Sequence, residues 1–132
     1  MKNSDTHKQP PTQAPTLRLV PLPADTNAYG DIFGGWLMSQ MDLAGASEAT
    51  RYAGGRVVTV GVDGMNFHKP VYVGDEVSFY TDIIKTGRTS VAVHVEAWAR
   101  ARDENNSRMV TEGVYTFVAI DENRKPKEMD KK

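Results

Sequence analysis

One carboxylate stands out for the company it keeps. Asp42 lies in the run Gly35 to Tyr52, whose spacing predicts a helix turning about 100° per residue. On that wheel Gln40, Ser47 and Arg51 gather on one side. Asp42 falls about 140–200° away by the same geometry, among Met38, Gly45, Ala46 and Ala49. An ionised carboxylate on such a face must be paired, hydrogen-bonded or pushed towards neutrality. Groups in that condition are enriched where chemistry is done, although structural networks produce them too, and Asp42 could simply bond a buried backbone group. The residues upstream weigh against that plainer reading. Asp25-Thr26-Asn27 and Gly30-Asp31 are turn formers, with Asp25 better suited to a cap or turn. Gly34-Gly35 lets backbone approach another group where the helix begins. The first N–H groups of a helix have no partner inside it and carry the positive end of its dipole. A buried acid about two turns from a bare helix N-terminus supplies a base and an oxyanion site.

The elements that must position these groups can be read along the chain. Residues 1–15 are rich in Pro, Gln and Thr without periodicity and read as a disordered arm. Leu17 to Val20 alternates as a short strand, ended by Pro21 and Pro23. The polar loop and the helix follow, and Gly54-Gly55 closes the helix. The rest reads as strands. Arg56 to Asp63 puts Val58, Val60 and Val62 on one face. Asp75 to Ile84 does the same with Val77, Phe79, Thr81 and Ile83. After the tight turn Thr86-Gly87-Arg88, the run Thr89 to Ala101 sets Val91, Val93, Val95 and Ala97 against His94, Glu96, Trp98 and Arg100. A polar loop, Asp103 to Ser107, leads to a last strand, Met109 to Ile120. The charged tail, residues 122–132, reads as frayed. The class is therefore α+β: one long helix and a curved antiparallel sheet of about five to six strands, joined by short turns. Residues 16–121 form the single folded domain that 132 residues allow.

Composition removes several kinds of function. There is no cysteine, hence no disulfide, thiol nucleophile or thiolate metal site. A net charge of -1 with interspersed signs leaves no basic stripe for nucleic acid. No apolar run reaches membrane-spanning length, and the first residues lack the apolar core of a secretory signal. A cytoplasmic protein is expected. The three histidines sit at no metal-ligand spacing along the chain. His94-Val95-Glu96 matches H-x-E, but no P-C-x-x-C follows, so no zinc deaminase is expected. There is no G-x-S-x-G elbow.

The segment DTNAYGDIFGGWLMSQMD, together with Gly55 to Asp75, Thr86 to Ser90 and Thr111 to Asp121, resembles the acyl-CoA thioesterases of the hot-dog fold, closely the YciA type. The resemblance spans roughly Thr16 to Asp121. It implies a sheet wrapped around the central helix and a double hot-dog dimer, often grouped into a trimer of dimers. It implies hydrolysis of an acyl-CoA to coenzyme A and a carboxylic acid, with no metal or redox cofactor. Asp42 takes the place of the family's catalytic acid, as general base or nucleophile. Asn27 would position water or substrate and reach the acid of the partner subunit. A backbone N–H at Gly34 or Gly35 would polarise the thioester oxygen, with Gly35 preferred over Gly34 or Trp36. Arg88, Thr89, Ser90, Lys69 and Arg56 are candidates for coenzyme A, whose phosphates suit cations at strand ends and turns. Each alone would pass for a solvated surface group. The His68 place varies in the family, and His68 is not expected to be catalytic. Met38, Met41, Met65 and Phe67 are candidates for the acyl pocket. Two rival readings stand beside this one: a non-catalytic acyl-CoA-binding sensor, and an enoyl-thioester hydratase on the same fold. The hydratase characteristically needs a histidine beside the acid, and the helix of Asp42 carries none.

Overall fold

The structure, a computed structural model, describes residues 9–129. The long helix, α1, runs Gly34–Ala53, one residue beyond the expected span at each end. Gly54 closes it in the left-handed conformation (φ 75°), donating its N–H to the Thr50 carbonyl at 2.9 Å. The strands are β1 (Leu17–Leu19), β2 (Val57–Phe67), β3 (Glu76–Thr86), β4 (Ser90–Arg100) and β5 (Ser107–Ala119). They form one sheet in the order β1-β3-β4-β5-β2, and every neighbouring pair is antiparallel.

The core lies between α1 and one face of this sheet. Leu37, Met41, Ala44, Gly45 and Ala49 form the buried stripe of the helix, at the spacing that keeps one face on a neighbour. Opposite them sit Val77 and Phe79 of β3, Val91, Val93, Val95 and Ala97 of β4, and Tyr115 and Phe117 of β5. The alternation read in β3 and β4 holds. Gly45 brings the helix close to the sheet, since a Cβ there would stand 3.1 Å from the Phe117 ring and 3.5 Å from Val95.

Strand β2 departs from expectation. It extends to Phe67, four residues past the predicted end, and its register with β5 shifts twice, between Thr59 and Gly61 and between Asp63 and Asn66. The first shift leaves Val60 as an extra residue and reverses the phase of the strand. Val58 pairs with Val118, which points away from the helix, while Val62 pairs with the helix-facing Tyr115. The three valines therefore do not share one face. Gly64, with φ 62°, supplies the backbone turn inside the second shift.

Both ends of the chain are more ordered than expected where they are described. Residues 1–8 of the arm and 130–132 of the tail lie outside the described residues. The Gln13 side-chain amide reaches the Thr81 carbonyl at 3.4 Å. The tail is not frayed through Met129. It turns at Asp121–Arg124 and folds back, the Lys127 N–H donating to Ala119 and the Met129 N–H to Arg88, at 2.8 and 2.9 Å. Met129 packs on the core.

Candidate active site

Asp42 is half-buried on the flank of α1 that faces β2. The Thr59 hydroxyl donates to its Oδ1 at 2.6 Å. Thr59 reaches it because it pairs with the helix-facing Phe117, just before the register shift. Beneath lies Tyr115, 2 % exposed, whose hydroxyl donates to the Met38 carbonyl at 2.8 Å. Burial, and then the charge of Asp42, push the Tyr115 phenol up to about 12 from its ordinary 10.0. Asp42 is thus bonded by a neutral donor at one oxygen and lies within the field of a phenol that keeps its proton. Neither Thr59 nor Tyr115 was expected from the sequence. Thr59 looked out of phase with the valines around it, and Tyr115 reads as ordinary core.

The helix N-terminus is bare. Its cap, Phe33, offers no side-chain hydrogen bond, and the first turn holds no acidic residue. The Trp36 N–H donates to Phe33 O at 3.1 Å, whereas the Gly34 and Gly35 N–H groups make no hydrogen bond among the described residues. A Cβ at Gly34 would lie 3.3 Å from the Phe67 ring, and one at Gly35 would meet nothing within 4 Å. Crowding by the chain's own atoms therefore explains Gly34 but not Gly35.

The loop before the helix is pinned to the body. The Ile32 N–H donates to Val71 O and the Phe33 N–H to Asp25 O, both at 2.9 Å. Asn27 works first as a turn former. Its Oδ1 accepts from the N–H groups of Tyr29 and Asp31, at 2.8 and 3.1 Å. Only its amide NH2 is left to meet a substrate, and so it would act as a donor. No hydrogen bond joins Asn27 to Asp42 among the described residues. Asp25 has the cap role, accepting from the Leu22 N–H at 2.8 Å.

The expected coenzyme A residues divide into two places. Arg56, Arg88, Thr89 and Ser90 come together where β2 and β4 begin and β5 ends. The Ala119 N–H donates to Thr89 O at 2.8 Å and the Ile120 N–H to Arg56 O at 3.0 Å. Arg56 also lines a cleft with Lys127 and Glu128 of the tail, next to the end of α1. Arg88 is exposed and lies 3.4 Å from Glu128. Lys69 lies beyond the far end of β2, roughly 35 Å away by strand rise. Within one chain Lys69 and Arg88 therefore stand at opposite ends of the sheet. Met41 is buried under the helix, while Met38 and Phe67 are exposed beside the site.

Residues 29–105 match the family model described as the thioesterase superfamily. The chain belongs to this superfamily. It is 48% identical over 127 residues to the acyl-CoA thioester hydrolase YciA of Escherichia coli K12, covering 94% of this chain and 96% of that one. Two hexameric thioesterases of solved structure are also similar. One is y2039 of Yersinia pestis, with TM-score 0.87, 49% identity, and coverage of 92% of this chain and 99% of that one. The other is the broad-specificity acyl-coenzyme A thioesterase HI0827 in an aspartate-to-alanine form, with TM-score 0.86, 45% identity, and coverage of 90% and 88%. The one-helix, five-strand antiparallel architecture of this thioesterase-superfamily chain matches theirs.

Proposed function

We propose that the protein hydrolyses acyl-CoA thioesters, with Asp42 as the acid-base group of the reaction. The observation that carries this reading is the hydrogen bond from Thr59 to Asp42 Oδ1, 2.6 Å long, in a chain 48% identical to an acyl-CoA thioester hydrolase. Thr59 fixes one oxygen and leaves Oδ2 to accept from water. That water, losing a proton to Asp42, attacks the thioester carbonyl. The oxyanion forms against the Gly34 or Gly35 N–H, with the dipole of α1 behind it. Collapse of the adduct expels the thiolate of coenzyme A. The scheme routes through neither metal nor redox cofactor. A nucleophilic Asp42 would give a mixed anhydride instead.

A second copy completes the site in this reading. Strand β2 is a sheet edge with no proline and no Lys or Arg to blunt it. It exposes Val60 and Phe67, and α1 exposes Leu43. Pairing two copies along this edge covers these groups and brings the Asn27 amide of one towards Asp42 of the other. Three such pairs would make a hexamer, the assembly that HI0827 and y2039 form. Coenzyme A would lie against Arg56, Arg88, Thr89 and Ser90, with Lys69 contributed from elsewhere in the assembly.

Among the described residues both histidines bond Glu112, on the face of the sheet away from Asp42. No histidine hydrogen-bonds Asp42 among the described residues, as the hydratase reading would need. The deciding experiment is thiol release from acyl-CoAs of short to long chain by the wild type and Asp42→Asn. We expect turnover by the wild type and a loss of about 10²–10⁴-fold in the variant, with binding kept. Tight binding without thiol release by either protein would replace the enzyme with an acyl-CoA sensor.

A further inference from the structure

The face of the sheet away from α1 carries a second constellation that the hydrolytic scheme leaves unused. Glu96 of β4 and Glu112 of β5 are register partners directly opposite one another. His94 stands beside both. Its Nε2 lies 3.1 Å from Glu112 Oε1, and its Nδ1 lies 3.8 Å from Glu96 Oε2. The other oxygen of each carboxylate is tied down. Trp98 Nε1 donates to Glu96 Oε1 at 2.9 Å, and His68 Nε2 sits 3.0 Å from Glu112 Oε2. Each carboxylate is thus oriented by a supporting ring and turns its second oxygen towards His94. One ligand atom from each of His94, Glu96 and Glu112 lies within 4.8 Å of the other two.

We propose that His94, Glu96 and Glu112 form a binding site for a divalent transition-metal ion of the zinc class, with His68 and Trp98 as the groups that orient its carboxylates. With a turn of the His94 ring, a divalent ion takes one imidazole nitrogen and one oxygen from each carboxylate. The 3.1 Å between His94 and Glu112 is close to the ligand–ligand edge of about 3.3 Å that metal bonds of about 2.0–2.1 Å give in a tetrahedral site. Imidazole with carboxylate suits zinc, cobalt or manganese rather than calcium or magnesium, which take all-oxygen shells. Oxygen and nitrogen partners outside the ligands are what such sites use to fix their geometry.

The test is calorimetric titration of chelator-treated full-length protein with zinc chloride near neutral pH. His7, which lies outside the described residues, is replaced in a His7→Ala background so that it contributes no binding. We expect one ion per chain, a melting temperature raised by zinc, and visible d–d absorption when cobalt replaces zinc. Glu112→Gln and His94→Ala should each weaken binding at least tenfold, and His68→Ala about tenfold through Glu112. Glu96→Gln, which preserves shape, covers the case in which His94→Ala misfolds. Equal zinc affinity in the wild type and in folded Glu112→Gln and Glu96→Gln would overturn the proposal. So would the absence of saturable binding in the wild type.

Discussion

Carboxylates stand against both faces of this sheet, and they are held in opposite ways. On the face towards α1, Asp42 is a single carboxylate with neutral oxygen donors around it. Thr59 bonds one of its oxygens, and Tyr115 stays a phenol beneath it. On the other face Glu96 and Glu112 confront each other across two strands, each fastened by a nitrogen ring and both turned towards His94. A carboxylate that must take up and return a proton benefits from one fixed oxygen and one open one. A pair of carboxylates fastened on their outer sides is shaped to share a cation. Period-two alternation along β5 sends Tyr115 towards α1 and Glu112 to the opposite face.

The contrast breaks most visibly through the packing that separates the faces. Phe117 is fully buried, beside Gly45 of α1 and on the same face as Tyr115. Phe117→Ala should cost about 3–5 kcal/mol of stability, measured by urea unfolding of the assembled protein. A loss under 1 kcal/mol would mean that the helix does not rest on this strand as described.

A sharper cut removes the donor and keeps the shape. Thr59→Val deletes the hydroxyl bonded to Asp42 and leaves a similar volume. A hydrogen bond to a charged group contributes about 1.5–3 kcal/mol, so kcat should fall about 10–150-fold while KM for acyl-CoA changes little. Thr59→Ser should recover most of the rate. An unchanged kcat in Thr59→Val would show that Asp42 is oriented by something else in the working assembly. Arg88→Ala tests the binding end of the same face. It should raise KM a few-fold and leave kcat alone, since an exposed cation already beside Glu128 has only a modest effect to lose.

Some of this was legible in the sequence and some was not. Strands β3 and β4 showed their faces because their alternation runs unbroken from Val77 to Ile83 and from Val91 to Ala97. The helix was plain from its spacing and from Gly54. Asp42 was conspicuous because a carboxylate among small and apolar neighbours is rare. Thr59 was hidden because a bulge is invisible to alternation. The extra residue Val60 reverses the phase that Val58 and Val62 suggest. The His68–Glu112–His94 grouping was hidden for another reason. It depends on cross-strand register, which joins residues 44 and 18 positions apart, whereas metal-ligand motifs are sought at short spacings along one chain. The tail was misread because its charge suggested solvent, while its backbone found partners on Ala119 and Arg88.

The smallest effect concerns the phenol that lies closest to the boundary between site and core. Tyr115→Phe removes the hydrogen bond to Met38 O and should cost about 1 kcal/mol near neutral pH. Its sharper signature is alkaline. The folded phenol titrates at about 12, against 10.0 for the ordinary group. Below pH 10 both folded and unfolded chains hold this proton, and the contribution is fully present. Between 10 and 12 the unfolded chain releases it while the folded chain still binds it, so stability falls as pH rises, by roughly 1.4 kcal/mol per pH unit. Tyr115→Phe should lack this part of the alkaline decline. In an ultraviolet titration of the folded wild type, one of the five tyrosines should ionise last, and that late step should vanish in the variant. Because Asp42 supplies part of the shift, Asp42→Asn should move the same step to lower pH. A step indifferent to Asp42→Asn would mean that burial alone raises the phenol, and that the two groups do not feel each other across the top of α1.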